Sequence, residues 1–337
     1  MEIKHYRTLV LLATFVAFVV VVVGAYVRLA DAGLGCPDWP GCYGQVSPAQ
    51  AEEIIASAVQ AQGGDHGPVS LRKAWKEMVH RYLAGALGIL ILVIAITAWR
   101  FRAALARSPA LPSMLLVLVI IQAALGMWTV TLLLKPAIVT LHLLGGMATL
   151  TLLVWLGLRQ LSFAPPGDVE TARRLRPWAA LGLALVFVQI ALGGWVSSNY
   201  AALACIDFPT CHGEWVPEMD FKHGFQLVRE LGRTAAGTHL AYEALTAIHW
   251  THRVGALVTF AYLAGFALAL LRVHGLVPYG SILAVVLAVQ VGLGVANIVA
   301  GLPLPVAVAH NAVAALLLAT LVVINFALSR VVSTSSA

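Results

Sequence analysis

Glu77-Met-Val-His80-Arg81-Tyr-Leu-Ala-Gly-Ala-Leu-Gly-Ile-Leu-Ile-Leu-Val-Ile-Ala-Ile-Thr-Ala98 opens on an acid, a histidine and an arginine, then runs to Ala98 without another charge. An apolar run of about 20 residues crosses a bilayer as a helix, because a helix satisfies its backbone polar groups within itself. Seven more runs have this character, so the sequence predicts eight spans, at roughly 8–28, 78–98, 113–133, 138–158, 178–198, 247–271, 280–300 and 305–328. With 60% hydrophobic residues, 11% charged and a mean hydropathy of +0.88, the chain reads as an all-α integral membrane protein. The first run lacks a small-residue cleavage site and continues into Arg28, which reads as a retained helix rather than a removed signal.

The opening cluster is not alone. His249-Trp-Thr-His252-Arg253 repeats it, and other polar landmarks repeat with it. Cys36-Pro-Asp-Trp-Pro-Gly-Cys42 corresponds to Cys205-Ile-Asp-Phe-Pro-Thr-Cys211, Gln122-Ala-Ala-Leu-Gly126 to Gln290-Val-Gly-Leu-Gly294, and His142 to His310. The offsets are 169 (205−36), 172 (252−80), 168 (290−122) and 168 (310−142). Unrelated apolar helices do not keep polar residues in such register. Four helices per half is an even number, so the halves enter the membrane in the same direction. They are expected to form two parallel four-helix bundles related by a pseudo-twofold axis. The predicted division is 1–161, a linker at 162–177 containing Pro165-Pro166-Gly167, and 178–337.

Charge sets the expected orientation. With both termini in the cytoplasm, eleven of the 21 Lys and Arg and only three of the 15 acidic residues fall inside. That is the positive-inside bias, so the formal charge of +6 is a topological signal and no sign of nucleic-acid binding. The same orientation places all four cysteines on the outer, periplasmic face of a cytoplasmic membrane. There an oxidising compartment favours the pairs Cys36–Cys42 and Cys205–Cys211. Structural staples and a redox role both fit these pairs, whereas C-x5-C is no zinc spacing. The long outer loops, 29–77 and 199–246, are expected to carry amphipathic pieces. One is a capped helix after Ser47-Pro48, and the other has helical apolar spacing from Phe221 to Leu231.

His80, His142, His252 and His310 fall at one level, about 6–9 Å inside the outer ends of the predicted spans at ~1.5 Å per residue. Ionisable groups inside the membrane are costly and mark function. Two histidines on separate helices suit the axial positions of a haem iron; zinc would want a closed four-ligand set. Gly85, Gly88, Gly145, Gly146 and Gly255 follow these histidines, where they leave room for a macrocycle or serve as helix-packing sites. Arg81 and Arg253 are candidates for haem propionates, with snorkelling to the headgroups as the alternative. The halves differ where Glu77 stands opposite His249, each three residues before its histidine. An acid beside a haem site handles protons or developing charge, so catalysis is expected in the first half and a permanent cofactor in the second. His66, His212, His223 and His239 fall in outer loops, and His5 and His274 near the cytoplasm, where solvated surface is the expected role.

Taken together, Gly24-Ala-Tyr-Val-Arg28, the Cys36–Cys42 loop, Glu77-Met-Val-His80-Arg81, Leu141-His142, His249-Trp-Thr-His252-Arg253 and Ala309-His310-Asn311 resemble the haem A synthase family. The resemblance spans all eight helices and both outer loops. It implies a membrane oxidoreductase acting on a CH3 group, which converts the C8 methyl of haem O to a formyl through successive hydroxylations and so supplies haem A to terminal oxidases. It further implies substrate haem O at His80 and His142, a resident haem b at His252 and His310, Glu77 as the catalytic acid, and an external electron donor. A haem O synthase (a farnesyltransferase) is a possible partner. Family members vary in how many cysteine pairs they carry, which weakens any essential role for Cys205 and Cys211. Two other classes stand beside this reading: a quinol-linked dihaem b-type electron carrier, and a haem transporter or chaperone. The first explains four histidines but not the Glu77/His249 difference; the second, with histidines binding transiently, predicts weak haem retention and no turnover. The oligomeric state, the electron donor and the oxygen source are not encoded in any motif of the chain.

Overall fold

The computed structural model describes residues 3–64, 69–105, 108–161 and 169–334. Among them there are helices and no strands: α1 Ile3–Leu29, α2 Glu52–Ala61, α3 Leu71–Arg100, α4 Arg102–Leu105, α5 Ala110–Thr131, α6 Pro136–Leu158, α7 Val169–Ser198, α8 Phe221–Gly224, α9 Tyr242–Leu271, α10 Val277–Val299 and α11 Leu304–Thr334. Eight of these are long and apolar enough to cross a membrane, and they contain the eight expected spans almost entirely. Several overrun the apolar stretch that announced them. α3 begins at Leu71, because the Ser70 hydroxyl caps it by accepting from the Lys73 N–H at 3.2 Å. α7 begins at Val169 and carries Pro177 inside it, so the later part of the expected linker is helix. Residues 162–168, with Pro165-Pro166-Gly167, lie outside the described set.

By its contacts the chain divides into two compact units, Met1–Thr149 with Gln226–His239, and Leu150–Phe225 with Leu240–Ala337. The boundary between these two units falls inside α6. The C-terminal end of α6 explains this locally: Leu158 is buried with Val322 and Phe326 of α11, and Trp155 stands edge-on to Phe326 at 5.1 Å. Within the second unit α7 packs on α9 and α11, and α10 on the same two, which closes a four-helix ring. Within the first, α3 packs on α1 and α5, while Gly126 meets His142 across α5 and α6, and Val21 meets Gly146 across α1 and α6.

The outer loops correct two expectations. α2 does form, but its N-cap is Ala51, with no side-chain cap. It is wound instead from the preceding turn, where Ala51 N–H donates to Pro48 O and Gln50 N–H to Ser47 O. Its Ile55 closes a small buried cluster with Cys36, Cys42, Ala51, Val69, Ala74 and Met78. The helical spacing of 221–231 yields a single turn, α8, capped by Asp220. Gly224 ends it by lying against α9, where a side chain would collide with Ala244 O at 2.8 Å.

Candidate functional site

Each of the four membrane histidines rests on a glycine of a neighbouring helix. A Cβ built on Gly24 of α1 would stand 2.8 Å from His80 Cε1. The corresponding distances are 3.3 Å for Gly126 and His142, 3.1 Å for Gly193 and His252, and 3.2 Å for Gly294 and His310. At Gly24 a side chain would collide with the ring, and at the other three positions it would crowd it. The rings are half-buried, yet Nδ1 of His80, His142 and His310 is fully buried without a hydrogen-bond partner. At His310 the other ring nitrogen is contacted as well, by the Gln290 amide. His80 lies within electrostatic reach of His142, and His252 of His310. Each pair thus offers two imidazoles from separate helices. Among the described residues no group of three or more His, Cys, Asp or Glu is placed to hold a metal ion. This donor set fits the two axial positions of haem.

The glycines singled out from sequence divide by role. A side chain at Gly85 or Gly88 would meet open space. At Gly145 and Gly255 it would not, because glutamine amides fill their space: Gln122 lies against Gly145 and Gln189 against Gly255. The sequence reading did not assign these glutamines a role. Gln189 Nε2 is 2.9 Å from both His252 Nδ1 and the His252 carbonyl, and Gln290 Nε2 is 3.3 Å from His310 Nε2. A usable signal was present, because Gln-x-x-x-Gly occurs at 122–126, 189–193 and 290–294, with the glycine seating a histidine each time.

Above each pair a disulfide loop is tied down by the arginine next to the histidine. Cys36–Cys42 and Cys205–Cys211 are both closed, and no free cysteine remains. Arg81 donates to the carbonyls of Asp38 (2.8 Å), Pro40 (3.3 Å) and Gly41, and to Glu77 Oε1. Glu77, 4% exposed, also accepts the Cys36 N–H at Oε2 at 3.0 Å. In the second unit Arg253 donates to the carbonyls of Thr210 and Cys205, both at 2.8 Å, and its Nε lies 3.3 Å from His249 Nε2. His249 Nδ1 accepts the Cys205 N–H at 3.2 Å. Glu77 and His249 therefore occupy the same structural post between a loop amide and an arginine. The guanidinium groups expected at propionates are largely taken by loop carbonyls.

An aspartate shapes each loop from within. Asp38 accepts from the Tyr43 and Gly44 amides at 2.6 and 2.8 Å, and Asp207 from the His212 and Gly213 amides at 2.7 and 2.9 Å. The Thr210 hydroxyl adds a third bond at 2.6 Å, and with the two amides it holds the Asp207 carboxyl well below the usual carboxylate range. Burial, reinforced by the charges of Asp38 and Glu77, pushes the Tyr43 phenol up. Two outer histidines are more than solvated surface. His212 Nε2 is 2.8 Å from Ala204 O and its ring stacks on Tyr242 at 5.6 Å, and His223 pairs with Asp220. His5, His239 and His274 are exposed. His66 lies outside the described residues.

The family model described as Cytochrome oxidase assembly protein matches residues 7–322, which reach into all eight long helices and include both disulfide loops. The chain belongs to this cytochrome oxidase assembly protein family. A protein named Heme A synthase from Shewanella oneidensis is 42% identical over 319 residues, covering 94% of each chain. Two more proteins of that name are similar across most of their length. The one from Rhizorhabdus wittichii is 31% identical over 92% of this chain and 90% of its own, and the one from Halalkalibacterium halodurans 27% over 96% and 98%. For a member of the cytochrome oxidase assembly protein family, the elements described above are the whole matched region.

Proposed function

We propose that this chain is a haem A synthase, oxidising the C8 methyl group of haem O to a formyl group. The observation that carries the reading is the unequal pair of sites. Two histidine pairs sit on the same glycine seats under the same arginine-held loops, and a carboxylate stands beside one pair where an imidazole stands beside the other. An equal-sited electron carrier has no use for that difference.

In this reading His80 and His142 hold haem O, and His252 and His310 hold a resident haem b. The bound haem b supplies one-electron exchange with an external donor. Turning a methyl into a formyl removes four electrons and four protons in all from the methyl carbon and one water equivalent of oxygen, so the reaction consumes an external oxidant, dioxygen in the hydroxylation reading, besides the donor's electrons. Glu77 places negative charge beside the first pair and supports positive charge developing at the reacting carbon. Arg81 and the Cys36 amide fix that carboxylate in place. The buried cluster around Ile55 and the disulfide covers the outer end of the first unit's helices and keeps water from the carboxylate. The inner membrane location and periplasmic loops, and the division into a substrate half 1–161 and a cofactor half 178–337, belong to the same proposal.

The test is a pigment extract of membranes expressing this chain beside a haem O synthase. Haem A is the expected product. Haem O and haem b without haem A identify a dihaem carrier, and no retained haem identifies a transporter or chaperone. His252→Ala is expected to lose the resident low-spin haem b, whereas His80→Ala keeps it and makes no haem A.

A further inference from the structure

Three of the four helices that seat a histidine carry glutamine one turn before the seating glycine: Gln122 before Gly126, Gln189 before Gly193 and Gln290 before Gly294. α1 is the exception, with Val20 before Gly24. Offsets of 169 along α1 and α7 and 172 along α3 and α9 make Val20 the counterpart of Gln189, and Leu83 the counterpart of Gly255. The two differences belong together. The Gln189 amide occupies the space that a side chain at 255 would fill. From there it contacts both His252 Nδ1 and the His252 carbonyl at 2.9 Å, while its Oε1 is buried and unpartnered. His80, by contrast, has Nδ1 buried with no hydrogen-bond partner.

A histidine bound to iron through Nε2 carries its proton on Nδ1, and a partner there fixes ring and tautomer. Gln189 Nε2 donates to the His252 carbonyl, so accepting the Nδ1 proton requires the amide to turn and bring its buried Oε1 to Nδ1, giving up the carbonyl bond. We propose that Gln189, lodged against Gly255, is a positioning residue that makes His252 a fixed ligand of a retained haem. Val20 and Leu83 at the matching places leave His80 as the ligand that releases. Retention and exchange are then set by the residues behind two otherwise equivalent histidines, as an enzyme with a permanent cofactor and a haem-sized substrate requires. The inference rests on the reading of the second half as the resident site.

Gln189→Met keeps the volume and removes the amide. Purified protein carrying its haem is mixed with excess apomyoglobin, and the rate of haem transfer is read by absorbance. Loss of a second-shell partner weakens metal binding by about 10–100-fold, so release from Gln189→Met is expected to be faster by that order. Its midpoint potential is expected to rise, because the ligand donates less to ferric iron. The reciprocal variant, Val20→Gln with Leu83→Gly, is expected to slow transfer of haem O from the first half and to reduce haem A released per enzyme. Unchanged release and potential in Gln189→Met overturn the proposal; if that variant does not fold, unchanged haem O transfer in the reciprocal variant does so. His252→Ala separates the two levels. Where it keeps its low-spin haem, the resident-site reading falls; where it loses haem while Gln189→Met behaves as the parent, only the role of Gln189 falls.

Discussion

At Glu77 a carboxylate meets two donors, the Cys36 amide and the Arg81 guanidinium, with a lone pair for each. A neutral imidazole in the same post has one lone pair, so His249 cannot accept from both the Cys205 amide and Arg253. A carboxylate thus anchors both donors where an imidazole cannot, and Glu77→Gln separates anchoring from the proposed use of its charge. It retains shape and an acceptor but loses the charge. The expected result is normal haem O binding and haem b content, with haem A per haem b lower by something like the ~10²–10⁴-fold typical of a positioned acid or base. Near-normal haem A at full haem b content would leave Glu77 as an anchor only. Arg81 tests the anchor directly. Arg81→Ala leaves Glu77 buried beside no cation, which costs on the order of 3–5 kcal/mol. Thermal unfolding in detergent is expected to show the loss, with part recovered by combining Arg81→Met and Glu77→Leu. The histidines and Glu77 were legible in the sequence because each repeats, or conspicuously fails to repeat, at a fixed offset. Gln189 was legible only through its Gln-x-x-x-Gly spacing and not through the offsets, because its counterpart is an ordinary valine and its partner is reached across helices.

The disulfide loops are small elements with their own accounting. Each closes a sequence separation of six residues, for which chain-entropy arguments give roughly 2 kcal/mol. Thiol labelling of intact protein without reductant is expected to find no free cysteine; labelling of all four would remove both pairs. Cys36→Ala is expected to lower activity more than Cys205→Ala, since Cys36 lends its amide to Glu77 whereas Cys205 serves His249. The second loop also has a pH signature. The Asp207 carboxyl lies below its usual range in the folded loop, so it contributes stability above the ordinary carboxylate pKa and loses it as pH falls toward the folded value. Protease nicking of residues 205–214 is expected to rise on acidification below about pH 4, and Asp207→Asn to abolish that dependence. Among the helices, existence was plain from apolar length and only the ends were misjudged. The overruns at Leu71, Val169 and Tyr242 are polar turns, the first capped by Ser70, which hydropathy does not register.

For the whole molecule, the sequence repeat announced the inventory of parts. Eight spans, two cysteine loops and two histidine pairs all came from register and composition. The grouping depends on contacts far apart in the chain, and these assign the C-terminal end of α6 to the second unit and residues 226–239 to the first. No periodicity announces such an exchange, because residues 226–239 carry little apolar pattern and Trp155 and Leu158 look like any other membrane-helix residues.

That exchange has a consequence for how the protein is made. A chain leaving the ribosome delivers α1, α2, α3, α5 and α6 early, but the stretch that completes their unit, Gln226–His239, emerges only after α7 and α8. The amino-terminal portion therefore waits, incomplete, through the synthesis of some eighty further residues. An amino-terminal half produced as a separate polypeptide ending at 161 never receives this piece, so co-production of the two halves is the form in which a split version of the protein has a route to assembly.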